Sequence, residues 1–125
     1  MTENEISYEI RGAIFDVYNN LGPGLLESAY EAALGFELGR RGLFYAKQVP
    51  LAMQYESIQL DVCYRLDFLV EDKVIIEIKS VETLLNVHHK QLITYLKLSG
   101  LKLGILVNFN TDEIAKSIYR KVNDI

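Results

Sequence analysis

Apolar residues recur at helical spacing near the start of the chain. They lie three or four positions apart at Ile6, Ile10, Ile14, Val17 and Leu21. This spacing predicts an amphipathic helix over residues 4–20, which the segment NNLGPG ends because Asn, Gly and Pro favour turns. A second helix is predicted from about Leu25 to Arg40, where basic residues and a glycine mark its end.

From residue 44 the spacing of apolar residues changes from helical towards alternating, which indicates β-strands. Strands are predicted over residues 44–55 and 58–80, with turns at the segments YES and EDK. Pro50 indicates that the first strand lies at a sheet edge or carries a bulge, because proline cannot donate a hydrogen bond to a neighbouring strand.

The last third of the chain combines helical and strand patterns. Helical spacing returns at residues 88–99, and Gly100 provides a C-terminal stop. Residues 102–109 are predicted to form a short apolar strand, and Asn110 followed by Glu113 predicts a final helix. The predicted order is α-α-β-β-β-β-α-β-α, an α/β (α+β) fold with a central mixed sheet of four to five strands flanked by helices.

Length and composition narrow the class of protein. The 125 residues suit a single domain, 1–125, that is large enough to bury a core. Cys63 has no partner for an intramolecular disulfide. The acidic start of the chain does not resemble a signal peptide, and no apolar run reaches the ~18 residues of a membrane helix, so we expect a cytoplasmic protein without membrane contact. The net charge of −4 weighs against an extended nucleic-acid surface.

The most apolar strand contains charged residues. Side chains alternate across a strand, so Glu77 and Lys79 point to the same face. If residues 71–73 form a three-residue hairpin loop, Asp67 on the preceding strand falls directly opposite Glu77. A loop of two or four residues would send the two carboxylates to opposite faces.

Two facing carboxylates repel each other, so a shared proton, a neighbouring cation or a bound metal must offset the repulsion. A divalent metal held by two carboxylates and water is a usual arrangement for a hard cation. Lys79 beside it can stabilise developing charge on a phosphate or orient the attacking water. The alternative is purely structural: Glu77 and Lys79 form an ion pair while Asp67 caps a turn.

Two further pairs of polar residues lie on helix faces. Gln91 and Tyr95 are four residues apart and share one face of the later helix. Glu27 and Tyr30 share one face of the second helix. Because Glu27 lies near the N-terminus of its helix, the simplest interpretation is a carboxylate that stabilises the helix dipole.

Several motifs match one known family in the right order. The segment GLLESAY contains the pattern Gly24, Glu27, Tyr30, and it is followed by YRLDFLV, IIEIKS and QLITYLKLSGLKLGILVNF. From about residue 6 to residue 120 the chain resembles the GxxExxY protein family of the PD-(D/E)xK nuclease-like superfamily. The resemblance implies a restriction-endonuclease-like αβββαβ core, here with an extra N-terminal helix.

The resemblance also implies a site. The superfamily places an Asp at the end of one strand and a (D/E)xK motif on the next, and its exonuclease-like branch adds an upstream Glu and a QxxxY motif. The implied catalytic residues are Asp67, Glu77, Lys79, Gln91 and Tyr95. The implied metal ligands are Glu27, Asp67, Glu77 and the carbonyl of Ile78. One position departs from the pattern, because Leu66 replaces the proline before the Asp.

These residues predict a Mg²⁺-dependent (or Mn²⁺-dependent) nuclease that cleaves phosphodiester bonds of nucleic acid, with DNA expected as the substrate. A nuclease of this size would need a homodimer or a protein partner to hold its substrate. The alternative function is a non-catalytic, nuclease-like binding module that acts with a protein or nucleic-acid partner. A third interpretation is a polar cluster without metal.

Overall fold

The two N-terminal helices lie on one side of the molecule. The computed structural model describes residues 1–123, apart from the side chain of Val62. Helix α1 (Glu3–Leu21) begins with a capping box and ends at Gly22, whose positive φ of 67° breaks the helical path. Helix α2 (Glu27–Arg40) follows after a short loop. In the part of the chain that the structure describes, no helix is long and apolar enough to cross a membrane.

A five-stranded mixed sheet forms the centre of the fold. Its elements, with the third helix, are β1 (Tyr45–Tyr55), β2 (Ile58–Val70), β3 (Val74–Lys79), α3 (Asn86–Ser99), β4 (Leu103–Asn108) and β5 (Ile118–Val122). The strands follow the order β1-β2-β3-β4-β5 across the sheet. Among the described strands, only the β3–β4 pair is parallel, and α3 forms the crossover between these two strands.

The sheet separates two apolar cores. One core packs α1 and α2 against one face of the sheet, and the other packs α3 against the opposite face. Strands β3 and β4 are buried along almost their whole length, as expected for parallel strands covered on both faces. The predicted α/β fold is therefore confirmed. From α2 to β4 the element order is αβββαβ, and α1 is the extra N-terminal helix.

Two details of the predicted order are wrong. Three strands, β1, β2 and β3, precede α3 instead of four. β1 runs through Pro50 and lies at the sheet edge, as the proline predicted. The predicted last helix is only a 3₁₀ turn, Ile114–Lys116, which is followed by β5. β5 pairs antiparallel with the fully buried β4, whose backbone groups on that side need a partner.

The β1–β2 hairpin reverses the direction of its side chains partway along. Tyr45 and Phe68 pack in the core under α1 and α2, whereas Val49 and Leu66 pack in the core under α3. Strict alternation would keep Tyr45 and Val49 on the same face. The reversal therefore falls between the Lys47–Phe68 and Val49–Leu66 pairs of the ladder. Beyond it, the outer half of the hairpin faces α3.

Candidate active site

The loop of residues 71–73 sets the register of the site. Val70 pairs with Val74, so the connection between β2 and β3 has three residues, as the sequence predicted. This register brings Asp67 opposite Glu77, one position beyond the last paired residues of the ladder. The two carboxylates consequently lie on the face of the sheet that carries α3.

Asp67 is fixed by the backbone of the neighbouring strand. Its Oδ2 accepts a hydrogen bond of 2.7 Å from the N–H of Ile78. The carboxylate thus takes the place of a backbone acceptor at the end of the β2–β3 ladder. A bond to a backbone amide restricts the rotation of the carboxylate and holds it beside Glu77.

Glu77 is the most perturbed acid of the site. Glu77 is only 4% exposed. Its buried Oε1 has no hydrogen-bond partner among the residues that the structure describes. Burial, followed by contact with the Asp67 carboxylate, raises the pKa of Glu77 to about 10, and the charge of Lys79 opposes this shift. The metal-free pair therefore carries a proton at neutral pH.

Lys79 lies at the end of β3, half-buried, on the same face as Glu77. Its carbonyl accepts a hydrogen bond of 3.0 Å from the N–H of Phe109 at the end of β4. Within residues 1–123, no ion pair joins the Lys79 ammonium to the Glu77 carboxylate. The ion pair of the structural alternative is thus not formed, and the ammonium remains a neighbouring positive charge.

Tyr95 approaches the carboxylates from α3. Burial is the largest cause that raises the pKa of Tyr95 to about 12, and the negative charges of Glu77 and Asp67 add to it. The phenol is therefore a neutral hydrogen-bond donor at physiological pH. Gln91 lies one helical turn earlier and lines the same groove as Tyr95.

Glu27 stands at the start of α2 and is exposed. The loop before it is held by Tyr30, whose buried hydroxyl donates to the carbonyl of Gly22 at 2.6 Å and accepts from the N–H of Leu25 at 3.2 Å. The hydroxyl of Ser80 donates to the carbonyl of Leu25 at 2.5 Å. Through these bonds, the segment that precedes α2 is connected to Ser80, the residue that follows Lys79.

The donor atoms fit a hard divalent cation with an incomplete protein shell. Asp67 and Glu77 provide carboxylate oxygens side by side, and the buried Oε1 lacks any other partner among the described residues. Residues 1–123 contain no group of three His, Cys, Asp or Glu side chains arranged to hold a metal ion. Glu27 is thus not part of a ready-made three-carboxylate set, and water or substrate oxygens would complete the coordination.

Comparison with known families agrees with this geometry. A family model described as the PD-(D/E)XK nuclease superfamily matches residues 4–121. The chain belongs to the PD-(D/E)XK nuclease superfamily. No curated protein and no solved structure matches the chain. Membership in the superfamily indicates a nuclease-like function and a nucleic-acid substrate.

Two residues that sequence reasoning missed lie beside this PD-(D/E)XK site. The buried amide of Asn108 accepts from Val81 N–H at 3.0 Å and donates to the Val81 carbonyl at 2.9 Å, which holds the chain just after Lys79. A polar residue ending an apolar strand is the only sequence signal for it. Gln48 lies opposite Asp67 with a positive φ of 53°, for which the sequence carries no signal.

Proposed function

We propose that this chain is a Mg²⁺- or Mn²⁺-dependent nuclease that hydrolyses phosphodiester bonds in DNA. The observation that carries the proposal is the buried Oε1 of Glu77, which lies beside Asp67 and has no hydrogen-bond partner within residues 1–123. Buried polar atoms in native proteins nearly always have a partner, and two adjacent carboxylates require a positive charge or a proton. A cation would satisfy both requirements.

Asp67 and Glu77 are the proposed metal ligands, and Glu27 and the carbonyl of Ile78 are proposed to add to them. A bound divalent ion would polarise the phosphoryl oxygen and lower the pKa of an attacking water. Ile78 N–H keeps Asp67 oriented towards Glu77 through the 2.7 Å bond to Oδ2. To hold a cation, Glu77 would have to release to solvent the proton that its raised pKa retains in the metal-free state.

The remaining residues of the site act on the phosphate. Lys79 is held on a buried strand, and its ammonium can stabilise negative charge that develops in the transition state. Tyr95 is protonated at neutral pH, as tyrosines ordinarily are, and its raised pKa extends this to more alkaline pH, so its hydroxyl can donate to a phosphate oxygen. Gln91 is proposed to fix the same phosphate from one turn earlier on α3.

We also infer membership in the GxxExxY family, because each residue of the motif has a structural role. Gly24 takes a positive φ of 94°, which glycine adopts most easily. Tyr30 holds the loop through its hydroxyl, and Glu27 begins the helix that this loop positions.

We propose a single-domain cytoplasmic protein that acts as a homodimer or with a protein partner.

The test is a cleavage assay with Mg²⁺ and with Mn²⁺ on single- and double-stranded DNA and RNA. Glu77→Gln and Lys79→Ala should abolish cleavage while circular dichroism shows a folded protein. Glu56→Gln and Lys116→Ala are matched controls, because both residues are exposed and lie outside the site. Unchanged cleavage in Glu77→Gln would assign the activity to a contaminant or to another site.

A second function, a non-catalytic binding module with nuclease architecture, is favoured by one observation. The described residues contain no complete three-ligand metal group. This module would bind metal or nucleic acid without turnover. Calorimetric binding of Mn²⁺ together with no cleavage of any substrate would support it, whereas metal-dependent cleavage that Glu77→Gln abolishes would exclude it.

A further inference from the structure

A groove with a volume of about 250 Å³ lies between the β1–β2 hairpin and α3. Met53 and Tyr64 form its hairpin wall, and Val87, Lys90 and Tyr95 lie on the α3 wall. The hairpin wall forms because the side chains of the β1–β2 hairpin change from one face of the sheet to the other near Gln48. Beyond this point the apolar side chains of the hairpin face α3. No role in catalysis accounts for Met53, Tyr64 or Lys90.

The groove is connected to the carboxylate pair through Tyr95. Tyr95 lines the groove and packs in the same apolar cluster as Leu66 and Ile75, which lie beside the two carboxylates on β2 and β3. The Tyr64 ring centroid lies 5.8 Å from that of Tyr95, with the ring planes inclined by 47°. Tyr64 itself is 38% exposed, so it presents aromatic surface to a ligand. Tyr64 and Tyr95 therefore form one continuous aromatic wall of the groove, and Tyr95 is its member nearer to the carboxylates.

We propose that this groove receives an unpaired base of single-stranded nucleic acid, next to the phosphate handled at Asp67 and Glu77. The assignment rests on the proposed nuclease function and names its substrate class. Aromatic and apolar side chains such as Tyr64, Met53 and Val87 offer stacking and packing surface to a base, whichever of the bases it is. In a duplex the bases are stacked and paired, so they could not enter without being extruded.

The charge of the groove suits a nucleic-acid strand. Lys90 is the one charged side chain among the groove-lining residues that the structure describes, and it is exposed. It can neutralise a backbone phosphate beside the base. The overall charge of −4 weighs against a broad basic surface for a duplex, so local contacts such as stacking and one phosphate pair would have to hold a single strand.

The test measures binding without catalysis. Fluorescence anisotropy in EDTA would compare an end-labelled oligothymidylate with a mixed-sequence duplex of the same length. Tyr64→Ala should weaken binding of the single strand about tenfold or more, because one stacked base contributes on this scale. Tyr64→Phe should retain most of the affinity. Tyr55→Ala is the matched control, since Tyr55 is an exposed tyrosine of the same hairpin, 63% exposed and outside the groove.

Lys90→Gln should weaken binding and reduce the slope of log affinity against log salt by about one. Equal affinity for duplex and single strand, or unchanged binding by folded Tyr64→Ala, would overturn the groove proposal while leaving cleavage at Glu77 intact. Failure of the nuclease function would look different: oligothymidylate would still bind in a Tyr64-dependent way, but Mg²⁺ or Mn²⁺ would produce no cleavage. Capture of a protein in place of oligothymidylate would also contradict the proposal.

Discussion

Gln48 lies opposite Asp67 in the β1–β2 ladder with a positive φ of 53°. A left-handed conformation inside a strand is unfavourable for a residue other than glycine. Gln48 makes two hydrogen bonds in this conformation. Its side-chain amide donates to Glu31 Oε2 at 3.1 Å, and its backbone carbonyl accepts from the Arg65 guanidinium at 3.3 Å. The strained residue marks the point at which the hairpin reverses its faces, next to a proposed metal ligand.

Gln48→Val should destabilise the protein by about 1–3 kcal/mol, because a β-branched residue tolerates positive φ poorly and cannot bond to Glu31. Chemical denaturation measures the free energy of unfolding. Gln54→Val is the matched control, since Gln54 is an exposed glutamine of the same strand without positive φ. Equal losses in the two variants would show that the backbone at position 48 disfavours valine no more than the backbone at position 54 does.

The metal-free protein should lose stability as pH rises from about 4.5 to about 10, because Glu77 is protonated in the folded state and ionised in the unfolded state over this window. One proton contributes at most about 1.4 kcal/mol per pH unit. Urea unfolding in EDTA should therefore give a steeper decline for the wild type than for Glu77→Gln. The variant should be the more stable protein at pH about 8. Parallel slopes would contradict the raised pKa.

Mn²⁺ should raise the melting temperature of the wild type but not that of Asp67→Asn, because only an intact carboxylate pair binds the ion. A concentration roughly 100 times Kd adds about 2.7 kcal/mol. The asparagine variant starts from a changed stability, so the metal-induced increment is the quantity to compare. Affinity should increase with pH, because binding displaces the proton of Glu77. Equal increments in both proteins would place the ion elsewhere.

Tyr30→Phe should cost about 1–3 kcal/mol, because the backbone groups of Gly22 and Leu25 lose their partner. The ring would keep its stacking on Phe109, with centroids 4.4 Å apart, so the core is preserved. Cleavage should fall as well if the loop positions Glu27. Tyr8→Phe, at an exposed tyrosine of α1, should leave both the unfolding free energy and the cleavage rate unchanged.

The sequence predicted features that depend on neighbouring residues better than features that depend on contacts between distant segments. The turn at residues 71–73 is local, so counting back from it correctly placed Asp67 opposite Glu77. β5 was missed because its conformation depends on pairing with β4, and the Asn110–Glu113 pattern supports only one 3₁₀ turn. The groove could not be predicted at all, since it requires the reversal at Gln48, where alternation fails.

The three-residue loop has a consequence for the folding pathway. Hairpins with short loops form within about 1–10 μs, whereas the parallel β3–β4 pair must wait for its helical crossover. The repulsion between Asp67 and Glu77 therefore arises early, before the second core covers it. Refolding should consequently accelerate when Mn²⁺ is present from the start, and equal rates with and without the ion would show that the carboxylates meet only after the folding barrier.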